Sequence, residues 1–140
     1  MLFRSLHGAT QLRRLGRYQL QAAVQSVHAA RRITGRIDWL AIEGLYEALH
    51  LLTGSPVVAI NRALAIGEVH GAAAGLLALP SPDTATSLAQ YQPYWAARAR
   101  LLSAAGQPYE AIEAYDTAIG LETDPTVRRF LQGKRQALRH

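Results

Sequence analysis

The sequence contains no cysteine, which excludes disulfide bonds and metal sites with thiolate ligands. It also lacks a long apolar run. The longest one, Val57 to Ile66, is interrupted by Asn61 and Arg62 and is well short of the ~20 residues that a membrane-spanning helix needs. Arg4 follows Met1 before any apolar stretch develops, so no secretory signal is predicted. These absences predict a cytoplasmic protein with no membrane span.

Acidic residues are missing from both ends of the sequence. Residues 1–37 carry seven arginines and no acid, residues 38–124 carry three arginines and all ten acids, and residues 125–140 carry five bases and no acid. Two basic ends favour binding to nucleic acid or to an acidic protein surface. Two other interpretations stay open: the ends pair with the acidic middle, or the fourteen arginines against one lysine reflect a coding bias of the source genome.

Proline and glycine lie where helices are expected to end, and β-branched residues do not alternate with polar ones over the length of a strand. The pattern predicts an all-α fold in a single domain, residues 1–140, with about eight helices. Gly16 and Gly120 are predicted helix ends, Asp38 and Ser55 are predicted N-caps, and residues 80–90 are the longest predicted loop. The predicted helices span residues 2–15, 18–32, 39–52, 56–69, 72–79, 92–105, 108–119 and 125–140.

Two stretches repeat each other at an offset of 36 residues. Six positions match in type or size: Ala59, Arg62, Ala63, Ile66, Gly75 and Leu79 correspond to Trp95, Arg98, Ala99, Leu102, Ala111 and Tyr115. The spacing is similar to the tetratricopeptide helix–turn–helix unit of about 34 residues. The prediction is a tetratricopeptide-like stack of antiparallel helix pairs near 18–52, 56–79 and 92–120, with a capping helix at 124–140. A plain helical bundle is the alternative.

Six residues are predicted to pack between the helices of the repeats, where small residues allow paired helices to approach closely. They are Ala63, Gly75, Trp95, Ala99, Ala111 and Tyr115. Gly67, Gly71 and Gly75 have helical spacing and indicate a turn with tight packing rather than a phosphate-binding loop. Trp39 is interpreted as a core residue.

Little in the sequence indicates catalysis. No histidine is followed at the third or fourth position by a carboxylate or a second histidine, and no phosphate-binding glycine-rich loop or nucleophile elbow is present. Glu110 and Glu113 are interpreted as a solvated face. The sequence therefore predicts no cofactor, no metal and no enzymatic activity.

A partner-binding groove is predicted on the first helix of each pair, since such helices line the concave surface of helical repeats. Its predicted residues are Asn61, Arg62, Leu64, Arg100 and Ser103, on a face shared with Ile60 and Ala96. Similarity to peptide-binding tetratricopeptide domains implies that the Asn61 side chain hydrogen-bonds the ligand backbone. The alternative is that this amide is buried and hydrogen-bonded to the end of a neighbouring helix. The alternative for Arg62 and Arg98 is a salt bridge to Glu43 or Glu47.

Several strings of the sequence carry a family resemblance. They are residues 16–24 (GRYQLQAAV), 27–29 (VHA), 38–39 (DW), 45–46 (LY) and above all 55–63 (SPVVAINRA). Later pieces agree, among them Gly71 with Gly75, Tyr94 with Ala97, Gly106, and residues 129–131. On these strings the sequence resembles the long C-terminal extension of a group of bacterial extracytoplasmic-function-type RNA polymerase sigma factors.

The resemblance implies a tetratricopeptide-like regulatory domain that modulates transcription initiation through contacts with the promoter-binding regions of the sigma factor or with RNA polymerase. The two regions that bind polymerase and promoter elements in that family are absent from this sequence. We therefore expect an excised domain, a truncation or a stand-alone relative, which reaches DNA only indirectly. A stand-alone scaffold binding a partner peptide and a basic nucleic-acid-binding module are the alternatives. The oligomeric state stays open.

Overall fold

The computed structural model describes residues 16–27, 38–83 and 88–139, and the regular elements in these ranges are all helical. The all-α prediction is therefore confirmed. The predicted helix at 2–15, the end of the predicted helix at 18–32 and the loop that follows it lie outside the described residues. The helices are α1 (16–27), α2 (Trp39–Thr53), α3 (Pro56–His70), α4 (Ala72–Ala78), α5 (Gln92–Ala104), α6 (Pro108–Leu121) and α7 (Pro125–Leu138), with a 3₁₀ turn at Leu88–Gln90.

Two of the helices begin at a side-chain cap. An Oδ1 atom of Asp38 accepts a hydrogen bond from the N–H three residues later (3.0 Å), and Asp124 accepts one from the N–H two residues later (2.9 Å). Ser55 occupies the predicted N-cap position of α3, but its side chain bonds none of the free N–H groups of the helix. The backbone N–H of Ser55 instead donates to the hydroxyl of Thr53 (3.2 Å). Pro56, whose fixed φ suits a first turn, marks the start of α3.

The predicted helix ends at glycine are correct in some places and wrong in others. Gly54 has a left-handed backbone (φ +59°) and closes α2. Gly120 lies inside α6, so this prediction is wrong. The helix predicted to end at Gly16 lies outside the described residues. Gly120 does not adopt a positive φ, and α6 continues to Leu121. The chain leaves the helix only at residue 122, three residues before Pro125, whose ring disfavours a helical backbone at the preceding residue.

From α2 to α7, helices that follow one another pack together, and α5 also contacts α3. The described residues form two buried clusters. One lies between α3, α4, the 3₁₀ turn and α5, and comprises Ile60, Ala63, Leu79, Leu88, Tyr94, Ala97 and Leu101. The other lies between α5, α6 and α7, and comprises Ala99, Leu102, Ala111, Ala114, Tyr115, Ala118, Ile119 and Leu131. Because α5 contributes to both clusters, it is the central element of this part of the chain.

Helices α3 and α4 approach each other closely at Gly67 and Gly75. Gly71, with φ +102°, forms the turn between them. A Cβ atom placed on Gly75 would lie 2.9 Å from the carbonyl oxygen of Ala63, 3.0 Å from the Cα of Gly67 and 2.8 Å from a methyl group of Leu101. The three glycines thus form the turn and tight packing that their spacing indicates.

Burial repeats at the same offset of 36 residues as the sequence. Ala63 and Ala99 are both fully buried, and Gly75 is buried as Ala111 is. The correspondence extends to three more pairs: Ile66 with Leu102 and Leu79 with Tyr115 are buried, and Arg62 with Arg98 are half-buried. The repeat therefore describes how the helices pack as well as their order along the chain.

The segment predicted as a long loop contains a structured turn. Leu88 in the 3₁₀ turn is 1% exposed and belongs to the first cluster. The indole N–H of Trp95 donates to the carbonyl oxygen of Ala89 (2.9 Å) and so ties the turn to α5. The ring of Trp95 also packs edge-to-face on fully buried Tyr94, with centroids 5.2 Å apart. Across the described ranges, no helix is long and apolar enough to cross a bilayer.

Candidate functional site

An open groove of about 1090 Å³ runs along α3 and α5 and is closed on one side by α7. Most of its surface is apolar side chain, and a few polar groups converge on it, which is typical of binding sites. Its lining residues are Ile60, Asn61 and Leu64 of α3; Gln92, Pro93, Ala96, Ala97, Arg100, Ser103 and Ala104 of α5; Tyr115 of α6; and Phe130, Leu131 and Lys134 of α7.

Four of the five predicted groove residues line this groove: Asn61, Leu64, Arg100 and Ser103. They meet because residues three apart lie on the same face of a helix, and α3 and α5 pack side by side. The two neighbours assigned to the same face, Ile60 and Ala96, are also present. Asn61 is half-buried and lines the groove.

Arg62 does not line the groove. It lies one residue further around α3, and its Nε atom is buried without a hydrogen-bond partner among the described residues. The alternative for Arg62 and Arg98, a salt bridge to Glu43 or Glu47, is not found among the described residues. Glu43 instead accepts hydrogen bonds from Nε2 of His70, at 3.0 and 3.1 Å, which joins α2 to the end of α3. On α5, Arg100 does pair across helices, since its guanidinium lies 2.9 Å from the carboxylate of Glu68 on α3.

The groove carries positive charge and has no acidic residue in its lining. Arg100 lies on one side. Lys134 lies on the α7 side, with its ammonium 5.5 Å from the centre of the Phe130 ring. Burial raises the pKa of Tyr115, and the nearby charge of Arg100 opposes that rise. An electropositive surface with an apolar floor suits a ligand that has both acidic and apolar groups.

Sequence reasoning missed the contribution of α7 to the groove. That helix is expected from its sequence to be a solvated cap, yet it buries Leu131 in the second cluster and supplies Phe130 and Lys134 to the groove. The sequence carries one signal for this role: Phe130 and Lys134 are four residues apart and therefore share a face. Phe130 is 63% exposed, which is high for a large apolar side chain.

Most predicted repeat-packing residues lie in the core. Ala63, Ala99 and Ala111 are fully buried, Gly75 is buried, and Tyr115 is buried at the base of the groove. Trp95 is half-buried and packs against both clusters. Trp39 is likewise half-buried.

The basic residues of α7 make contacts within the molecule. Arg128 donates to the carbonyl oxygens of residues 119 and 122, both at 3.1 Å, and so caps the carboxyl end of α6. Arg135 pairs with Asp116 of α6. Arg129 donates to the backbone oxygen of Pro125 (3.4 Å). These contacts reduce the number of cations that α7 presents to a phosphate backbone and weaken the nucleic-acid interpretation.

Glu110 and Glu113 are exposed, as expected of a solvated face. In the part of the chain that the structure describes, no group of three histidine, aspartate or glutamate side chains is arranged to hold a metal ion.

Comparison with known proteins adds one relative. The chain is 38% identical, over 124 residues, to an uncharacterized protein of Rhizobium meliloti (strain 1021). The match covers 89% of the chain but 29% of the relative, so the chain spans under a third of the relative's length. No protein-family model matches the chain. No solved structure matches it either.

Proposed function

We propose that this chain is a non-catalytic protein-interaction domain whose groove binds a segment of a partner protein. The observation that carries the proposal is the groove itself. It brings Asn61, Arg100 and Ser103, from two helices that are distant in sequence, onto one apolar surface. An amide and a guanidinium beside an apolar floor can bond the backbone and acidic groups of a peptide while its apolar side chains are buried.

The helices are proposed to form a tetratricopeptide-like stack. Two observations support this arrangement. Helices α3 and α4 form one pair and α5 and α6 the next, and five of the six matched residue pairs 36 positions apart agree in burial. The first helices of both pairs, α3 and α5, line the groove, as first helices do in concave helical repeats. Helix α7 then caps the last pair and adds a wall to the groove.

We further propose that the domain regulates an extracytoplasmic-function-type sigma factor in the cytoplasm. The sequence strings at residues 16–24 and 55–63 support this assignment by resemblance. The partner would be the promoter-binding regions of that sigma factor or RNA polymerase, with DNA contacted only through them. The Rhizobium relative is more than three times as long as its matched segment, so it has sequence for further regions.

Isothermal titration calorimetry tests the proposal. The sigma factor is the one, encoded by the same genome, whose extension the chain most resembles. Its promoter-binding regions are purified separately and titrated into the chain at low and at high salt. We expect saturable binding that persists at high salt, since groove contacts are only partly electrostatic. Binding that disappears steeply with salt would instead indicate phosphate-like or purely charge-driven contact.

Two substitutions locate the binding site. Asn61→Ala and Arg100→Ala should weaken binding, whereas Arg17→Ala, an exposed arginine on α1, serves as the matched control and should leave it unchanged. Normal binding by both groove variants would place the site elsewhere. If the wild-type chain binds no sigma region but binds another protein segment through the same residues, a stand-alone scaffold is supported in place of a sigma-factor regulator.

A further inference from the structure

We infer that the groove selects an acidic partner segment that carries an apolar anchor; this inference rests on the proposed function of the groove as a protein-binding site. Two cations, Arg100 of α5 and Lys134 of α7, line the groove, and none of the lining residues is acidic. Because they belong to different helices, a segment bound in the groove meets positive charge from both α5 and α7. A positively charged partner segment would be repelled by these two cations. The charge of the partner segment is therefore the first determinant of its selection.

Both cations remain able to bind a ligand carboxylate. Arg100 pairs with Glu68, but both side chains are substantially exposed, and exposed pairs contribute little to stability. A guanidinium has five N–H donors, and only one terminal nitrogen of Arg100 contacts Glu68. Lys134 has no carboxylate partner among the described residues; its ammonium lies instead near the ring of Phe130.

The floor between the cations defines the second determinant. Leu64, Ala96 and Phe130 present apolar surface to the groove, and Phe130 is mostly exposed in the free chain. An apolar side chain of the partner would cover this surface, and its acidic neighbours would then reach the two walls. The volume of the groove is close to that of two turns of helix, which occupy about 850 Å³ if the helix is about 10 Å wide and about 11 Å long. The groove therefore fits a short segment rather than a whole domain.

The charge of the chain itself argues against its own basic ends as the occupant. Residues 1–37 contain seven arginines and no acid, and residues 125–140 contain five bases and no acid. Residues 1–37 would bring positive charge towards Arg100 and Lys134, and residues 125–138 already form α7, which lines the groove. Neither basic end supplies the acidic complement, which is assigned here to a partner.

A random peptide library tests the inference without knowledge of the natural partner. The whole chain is used to select displayed peptides of about 12 residues, roughly 18 Å as a helix. We expect the selected peptides to be enriched in aspartate and glutamate and to share a leucine or aromatic residue, relative to the unselected library. The double variant Arg100→Gln with Lys134→Gln should bind a selected peptide at least about tenfold more weakly, which corresponds to ~1.4 kcal/mol. The double variant Arg17→Gln with Arg139→Gln also removes two positive charges, at exposed positions outside the groove lining, and is the charge-matched control; circular dichroism verifies that each variant is folded.

The outcomes separate this inference from the function on which it rests. Selected peptides that are neutral or basic, yet lose affinity with Asn61→Ala, would overturn the acidic specificity and leave the peptide-binding function standing. Acidic peptides whose affinity is the same for the groove double variant and for the charge-matched control would overturn the assignment to this groove. A wild-type chain that selects no peptide would count against both.

Discussion

Replacing Gly75 by alanine should destabilise the chain, although alanine is the better helix former. In α4, the added Cβ would lie 2.9 Å from the carbonyl oxygen of Ala63 and 3.0 Å from the Cα of Gly67. Both atoms are backbone of α3 and cannot rotate away. The third contact, 2.8 Å to a methyl group of Leu101, involves a side chain that can move. Helices α3 and α4 must therefore separate to accept the methyl group.

The expected size follows from two opposing effects. Alanine in place of glycine stabilises a helix interior by about 0.5–1 kcal/mol. Overpacking a filled core costs about 1–3 kcal/mol, and contact with two backbone atoms at once places Gly75→Ala towards the upper part of that range. The net loss in the free energy of unfolding should be about 1–2 kcal/mol. For a chain of 140 residues this lowers Tm by about 3–7 °C.

Urea unfolding followed by circular dichroism at the helical band measures the effect, and two other glycines provide controls. Gly44 lies inside α2, and a Cβ added there would have no neighbouring atom within 4 Å, so Gly44→Ala should stabilise the chain by about 0.5–1 kcal/mol. At Gly67 the one severe contact, 2.7 Å, is with the flexible end of Leu101. Gly67→Ala should therefore change the free energy of unfolding by less than about 1 kcal/mol.

The order of the three variants in their free energy of unfolding is the decisive result. A Gly75→Ala variant as stable as Gly44→Ala would show that α3 and α4 do not pack at this point as the structure has them. The proposed pairing of these helices would then lose its main support. A drop in stability with an unchanged dependence on urea concentration would agree with local overpacking of an otherwise intact fold.

Three further predictions concern caps, core and ionisation. Asp124→Ala should lower the free energy of unfolding by about 1 kcal/mol, because it removes the side-chain cap of α7. The side chain of Ser55 makes no cap bond, so Ser55→Ala should leave this free energy nearly unchanged in the same urea assay. Leu88→Ala should lower the free energy of unfolding by about 2–5 kcal/mol, because Leu88 is buried. Leu77 is 89% exposed, so Leu77→Ala should lower it by less than about 0.5 kcal/mol. Equal losses for the two variants would place the 3₁₀ turn outside the core. Burial raises the pKa of three tyrosines above 10.0, so the native chain holds more protons than the unfolded chain above that pH, and the free energy of unfolding should fall as pH rises past 10.0. The tyrosines are Tyr46, Tyr94 and Tyr115, and an unfolding free energy that does not fall between about pH 9 and pH 11 would contradict their burial.

Local sequence signals determine the helix starts and several of the helix ends. Asp38 caps α2, Gly54 closes it, and Pro56 opens α3, because these features depend only on the backbone preferences of a few adjacent residues. The same reasoning fails at Gly120. A glycine permits a helix to end but does not force it, and the chain after α6 decides the boundary.

The face of each helix could also be predicted. Helical periodicity places Asn61 with Leu64 and Arg100 with Ser103, and the 36-residue offset identifies the two faces as equivalent. Periodicity itself argues against Arg62, since at about 100° per residue this position lies about 160° around α3 from both Ile60 and Leu64. The packing of α3 buries the Nε atom of Arg62 and leaves the groove without that charge.

The sequence by itself determined an all-helical chain, its internal repeat and the α3 and α5 faces of a candidate groove, because these depend on spacing within one or two helices. The tertiary structure decided the third wall, the partner of each charge and the role of Leu88. Lys134 reaches the groove only because α7 packs on α6, and Glu43 bonds His70 only because α2 packs on α3. Contacts between residues far apart in sequence depend on how the helices pack, and a pattern confined to each helix does not encode that packing.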